Sequence, residues 1–99
     1  MNPSLHIPTE VVRDFCRRHH IRKLSVFGSA LRTDFRPDSD VDVLVEFDSA
    51  HTPGLDFFNM EIELSELLGR KVDLNTPGFL SRFFRDRVIR EAEVQYAVA

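Results

Sequence analysis

The stretch Leu24–Phe47, LSVFGSALRTDFRPDSDVDVLVEF, decides how the rest of this chain is read. A short strand is expected from about Lys23 to Phe27, with Leu24 and Val26 on one face. Gly28-Ser29 ends it, and Ala30-Leu31-Arg32 reads as the first turn of a short helix. Thr33 to Ser39 is polar, contains Pro37 and reads as a loop. From about Val41 to Phe47 comes the clearest strand in the chain. In a strand, residues i and i+2 face the same side, so Asp40 and Asp42 point one way while Val41, Val43 and Val45 point the other.

Working outward, a helix is expected from about Thr9 to His20, with Thr9 as N-cap and Val11, Val12, Phe15 and Cys16 recurring at helical spacing as its buried stripe. His19 and His20 fall near its end, where polar or cationic side chains suit the helix dipole. After a loop holding Pro53 and Gly54, a helix is expected from about Leu55 to Leu68, with Phe58, Ile62, Leu67 and Leu68 among its apolar positions and Gly69 as its stop. Lys71 to Leu74 reads as a third strand, Pro77-Gly78 as a turn, and Phe79 to about Ala97 as helical, in two pieces. The order α-β-α-β-α-β-α argues for an α/β (α+β) fold, a sheet covered by helices.

The bulk properties narrow the function classes. The 99 residues fit one domain, 1–99, of a size that folds without staples. A hydrophobic fraction of 42% argues against disorder, and the single cysteine, Cys16, allows no internal disulfide and fits a reducing compartment. No signal peptide and no stretch near the roughly 18–20 apolar residues that span a bilayer is legible, so a cytoplasmic protein without a membrane partner is expected. The net charge of −3 argues against direct nucleic-acid binding, which calls for a basic excess.

The chemistry lies in the opening stretch. Two carboxylates side by side repel, and a divalent cation converts the pair into a binding site; hard oxygen donors at this spacing suit Mg²⁺ better than Zn²⁺. A lone D-x-D is also what a solvated strand edge looks like. Gly28-Ser29 lies between a strand and a helix start, where unpaired N–H groups bind phosphate, a glycine admits the anion closely and a serine hydroxyl can donate to it. Alone, that pair is also a common turn. Arg32 can reach a triphosphate or lock the loop by pairing with an acid. Asp73, between Val72 and Leu74, needs an exposed edge or a partner, which could be a metal, Lys71 or Arg70. A phosphate cradle after one strand and a metal pair at the start of the next are the two halves of a phosphoryl-transfer site.

Gly28-Ser29, the ten residues Ala30 to Ser39, then Asp40-Val41-Asp42 resemble the G-S-x10-D-x-D signature of the minimal nucleotidyltransferases, in the polymerase-beta-like nucleotidyltransferase superfamily. The resemblance extends over VFGSALR, RPDSDVDVLVEF, the helix Leu55 to Leu68 and GRKVDL, nearly the whole chain from Leu24 on. One departure is Thr33, where many relatives carry glycine, and it bears on the path of the following loop. The resemblance implies a small mixed sheet flanked by helices. It also implies Asp40, Asp42 and Asp73 as catalytic metal ligands, with Asp73 placed to take the proton of the attacking hydroxyl, and Gly28, Ser29, Arg32 and Ser39 as nucleotide-binding residues. Two Mg²⁺ ions with a bound NTP are implied as cofactors, Mn²⁺ being a substitute. The implied activity is transfer of a nucleotide, AMP from ATP, to a protein hydroxyl. The implied partner is a co-encoded helical HEPN protein, with this chain as antitoxin of a toxin–antitoxin pair.

The acceptor is expected to come from another molecule or from a homo-oligomer. The competing readings are a non-catalytic module that neutralises a HEPN partner by contact and a small-molecule, aminoglycoside-type nucleotidyltransferase. Asp34 and Asp38 read as solvated loop acids, Cys16 as a core residue, and His6, His19, His20 and His51 as surface residues without metal-ligand spacing. The group Arg82, Arg85, Arg87, Arg90 reads as a solvated helix face, with phosphate or an acidic partner as the other option. The surface around Phe79, Phe83 and Phe84 is the candidate for docking.

Overall fold

The computed structural model describes residues 7–31, 40–48 and 54–98. Helix α1 spans Thr9–Arg18. Pro8 occupies the cap position, its carbonyl accepting the Val12 N–H at 3.1 Å, and no side chain caps the turn. Thr9 is therefore the first helical residue rather than the N-cap. Val12, Phe15 and Cys16 are buried, while Val11 is half-buried. The helix ends before the expected His20, which takes a left-handed conformation at φ 58° and turns the chain into strand β1, Ile21–Phe27. His19 is not a plain surface residue. Its ring lies 4.7 Å from the Phe15 ring, and its Nε2 lies 2.8 Å from Glu63 Oε1.

The remaining strands are β2, Val41–Phe47, β3, Val72–Asn75, and β4, Glu93–Ala97; the remaining helices are α2, Phe57–Leu68, and α3, Arg85–Glu91. The sheet order is β3-β2-β1-β4. Strand β3 runs parallel to β2, and β1 is antiparallel to both β2 and β4, so the sheet is mixed. The short helix expected after Gly28-Ser29 is a 3-10 turn, Gly28–Leu31. The expected C-terminal helix is corrected more deeply: α3 stops at Glu91, Ala92 is extended at ψ 140°, and the chain ends as the edge strand β4. The element order thus closes on a strand instead of a helix. Leu24 of β1 pairs with Tyr96 of β4, and Tyr96 packs against the core, a long-range arrangement that overrides the helical character of the segment.

The sheet has two unlike faces. Leu24 and Val26 of β1, Val41, Val43 and Val45 of β2, and Val72 and Leu74 of β3 share one face with α1 and α2 and form the core with Val12, Phe15, Phe57, Met60 and Leu64. The inward ridge of α2 is thus Phe57, Met60 and Leu64, whereas Phe58 (68% exposed) and Ile62 (57%) point out. Gly69, at φ 66°, ends α2 in the left-handed conformation a side chain resists. Arg18 Nη1 lies 2.6 Å from Glu63 Oε2 and its Nε 2.9 Å from Asp14 Oδ2; with His19, this ties the end of α1 to α2. The opposite face carries Ser25, Phe27, Asp42 and Leu44. Among the described residues, no helix is long and apolar enough to cross a membrane.

Candidate active site

Parallel pairing sets Asp42 opposite Asp73, and antiparallel pairing sets Phe27 opposite Asp42. Opposed residues share a face, so Phe27, Asp42 and Asp73 form one row across three strands. Neighbouring strands lie about 4.8 Å apart, which starts the two carboxylates within reach of one small cation. The register is pinned where the strands begin: Val41 N–H donates to the Lys71 carbonyl at 2.9 Å. Asp40, exposed, immediately precedes β2, and its Oδ2 lies 3.8 Å from Lys71 Nζ. The expected alternation is present, with Val41, Val43 and Val45 at most 1% exposed. Asp42 and Asp73 are brought together in one row, whereas Asp40 leans towards Lys71. Among the described residues, no three His, Cys, Asp or Glu side chains gather into a group that could hold a metal ion.

Gly28 has a tighter role than a permissive loop residue. Its φ is 65°, and a Cβ placed on it would overlap Asp42 Oδ2 and sit 3.3 Å from Asp42 Cγ. The missing side chain therefore leaves room for the Asp42 carboxylate itself. Gly28 and Asp42, fourteen positions apart in the sequence and legible there only as separate devices, are packed against each other. Ser29 lies in the same 3-10 turn, Gly28–Leu31. Arg32 and Ser39 fall outside the described residues, as do Thr33, Asp34, Asp38, His6 and His51.

Beside this turn is a cavity of about 300 Å³ lined by Phe27, Gly28 and Leu31 and, from α3, by Arg87, Val88 and Glu91. Its wall residue Phe27 belongs to the row that holds Asp42 and Asp73, so the cavity adjoins the carboxylate face. Nothing in the sequence marks Phe27 as part of a site; an aromatic in a strand reads as core, and only the register shows which face it joins. The arginine group divides. Arg82 lies over the Phe83 ring at 5.5 Å, Arg85 donates to the Leu80 carbonyl at 3.0 Å, and Arg87 lines the cavity. Arg85 is thus half-buried and structural rather than part of a solvated face.

The donor chemistry fits a hard divalent cation. Asp40, Asp42 and Asp73 offer only carboxylate oxygens, and Gly28 keeps the space at the Asp42 carboxylate free of a side chain. Mg²⁺ retains waters and takes further ligands from substrate phosphates, so it does not need a closed protein cage.

The nucleotidyltransferase domain family matches residues 9–97. The protein adenylyltransferase MntA of Thermococcus cleftensis is 37% identical over 79 residues, covering 80% of this chain and 79% of that protein. A Methanocaldococcus jannaschii protein assigned as a protein adenylyltransferase is 36% identical over 75 residues, covering 76% of this chain and 80% of its own length. A solved structure assigned as a minimal nucleotidyltransferase superposes with a TM-score of 0.66 at 36% identity, over 88% of this chain and 95% of that one. A toxin–antitoxin structure with AMP-PNP shares the fold, with a TM-score of 0.69 at 16% identity over 93% of this chain and 75% of that one. With the matching family spanning nearly the whole chain and a relative of the same fold at this identity, the chain belongs to the nucleotidyltransferase domain family, among its minimal nucleotidyltransferases.

Proposed function

We propose that this nucleotidyltransferase transfers AMP from ATP to a hydroxyl of a partner protein, and that it acts as the antitoxin of a HEPN-type toxin in the cytoplasm. The relative from Thermococcus cleftensis is named a protein adenylyltransferase, and solved neighbours include a tri-AMPylated HEPN toxin in complex with an MNT antitoxin. The observation that carries the reading is the row Asp42–Asp73 beside a glycine turn whose missing Cβ leaves the Asp42 carboxylate its place.

In this reading, Gly28, Ser29 and Arg32 hold the triphosphate, Ser39 adds a hydroxyl at the end of the loop, and the cavity lined by Phe27, Leu31, Arg87 and Val88 gives the nucleotide room. Its volume is at the low end of ligand pockets, which run to roughly 300–1,000 Å³. Asp40, Asp42 and Asp73 would hold Mg²⁺, which when bound supplies charge neutralisation at the phosphates. The acceptor oxygen forms a bond to the α-phosphorus, the bond to the bridging oxygen of the β-phosphate breaks, and pyrophosphate leaves. Asp73 accepts the proton of the hydroxyl. The test is incubation with labelled ATP, Mg²⁺ and a co-encoded HEPN-type protein, followed by mass analysis of both proteins. A gain of AMP on the partner is expected. Neutralisation of the partner without any transfer would overturn the reading in favour of a module that acts by contact.

A further inference from the structure

Strand β3 lies at the edge of the sheet, with β2 on one side only. It is four residues long, Val72–Asn75, and it carries Asp73. An edge strand presents a row of unpaired N–H groups, and a short one has few ladder bonds to hold its position. Here the outer edge is closed by side chains of α2. Val72 N–H donates to Ser65 Oγ at 2.9 Å, and Leu74 N–H donates to Glu61 Oε2 at 2.7 Å. These two amides flank Asp73 in the chain. The acceptors are themselves fixed: Ser65 and Glu61 are one helical turn apart, Ser65 Oγ donates to the Glu61 carbonyl at 2.8 Å, and the Ser65 carbonyl accepts the Arg70 N–H at 3.1 Å. Inward, Leu64 of the same helix is fully buried, so the helix that presents Glu61 and Ser65 is anchored in the core.

We propose that Glu61 and Ser65 are positioning residues for the transfer reaction: by holding both amides that flank Asp73 from outside the sheet, they keep Asp73 opposite Asp42. The inference rests on the proposed role of Asp73 in transfer. A charge on Glu61 is not what the arrangement uses; an acceptor oxygen at the Leu74 amide is. Glu61→Gln keeps such an oxygen, whereas Glu61→Met keeps length and helix preference and removes it. Ser65→Ala removes the acceptor at Val72 without adding bulk.

The experiment has two arms on the full chain with its partner. Hydrogen exchange by NMR reads the Val72 and Leu74 amides, and kinetics reads the ATP affinity and kcat of each variant. Expected in Glu61→Met is exchange at Leu74 faster by at least about tenfold, ATP affinity within about threefold of wild type, and kcat lower by roughly 10- to 100-fold, the scale seen when the partner that orients a site carboxylate is lost. Glu61→Gln restores most of the rate. Ser65→Ala repeats the pattern at Val72 and covers the case in which Glu61→Met does not fold. A wild-type kcat in Glu61→Met, an equal loss of affinity and rate, or a failure of glutamine to rescue overturns the proposal. If the wild type itself transfers nothing, the proposed function fails, and the inference is then judged on exchange and on the carboxyl carbon resonance of Asp73: both unchanged in Glu61→Met would end it.

Discussion

Gly28→Ala is the substitution whose consequence can be worked most fully from the structure. Two costs are separable. The residue sits at φ 65°, where an L side chain crowds its own carbonyl, at a cost of about 1–2 kcal/mol. The new Cβ also overlaps Asp42 Oδ2, so the carboxylate must rotate away, at about 0.5–1.5 kcal/mol for an off-rotamer side chain. The sum is about 1.5–3.5 kcal/mol. For a domain of this size that lowers Tm by at least about 6 °C. Urea unfolding of four proteins, wild type, Gly28→Ala, Asp42→Ala and the double variant, apportions the two terms. In the Asp42→Ala background the nearest remaining contact is Asp42 Cβ at 3.6 Å, an ordinary separation. Only the backbone term should survive there, leaving a coupling of about 0.5–1.5 kcal/mol, above the roughly 0.3–0.5 kcal/mol scatter of independent sites. Calorimetry on the single variant should show metal-dependent ATP binding weakened by at least about tenfold, or 1.4 kcal/mol, because the displaced carboxylate no longer faces the site. Equal costs in both backgrounds, together with unaltered ATP binding, would refute the claim that Gly28 exists to make room for Asp42.

Three further outcomes are expected. Asp73→Asn should keep ATP binding within about tenfold while transfer to the partner falls by at least about a hundredfold, the low end of general-base effects; parallel losses in both would remove Asp73 from the chemical step. Cys16 is buried, and that burial pushes its thiol from 9.0 up to about 12. It should resist a thiol reagent at pH 8 until the chain is unfolded. The stability linked to the protonated thiol should be full below about pH 9 and lost as pH rises towards about 12, so an alkaline titration of Tm that is flat across that window in wild type but not in Cys16→Ala would contradict this. Burial would raise the Glu63 carboxyl, but its bonds to His19 and Arg18 outweigh burial and hold it below the usual carboxylate range. Its contribution is therefore present above about pH 4.3, the unfolded value, and lost as pH falls through the lower folded one; Tm of wild type and Glu63→Gln should converge in acid, and a constant gap down to pH 2 would exclude the linkage.

What the chain determines alone is what depends on near neighbours. The period-two alternation of Val41, Val43 and Val45 against Asp42 is a property of consecutive residues, and it survives in β2 because strand geometry leaves side chains no other choice. The glycine stop at Gly69 and the G-S-x10-D-x-D spacing are equally local, and they sufficed to indicate the family. Everything that failed to show in the sequence depends on contacts made across the fold. Helix α2 has apolar residues on several sides, so its periodicity does not choose between Phe57, Met60 and Leu64 inside and Phe58 and Ile62 outside; the sheet chooses. Glu93–Ala97 carries no strand signal strong enough to overrule the helix before it, and it becomes β4 because β1 offers an edge to pair with. The closeness of Gly28 to Asp42, the register that sets Asp42 opposite Asp73, and the hold of Glu61 and Ser65 on β3 are likewise decided only when distant segments pack. Side-chain type and spacing record which chemistry is available, while register and packing decide which of those side chains meet.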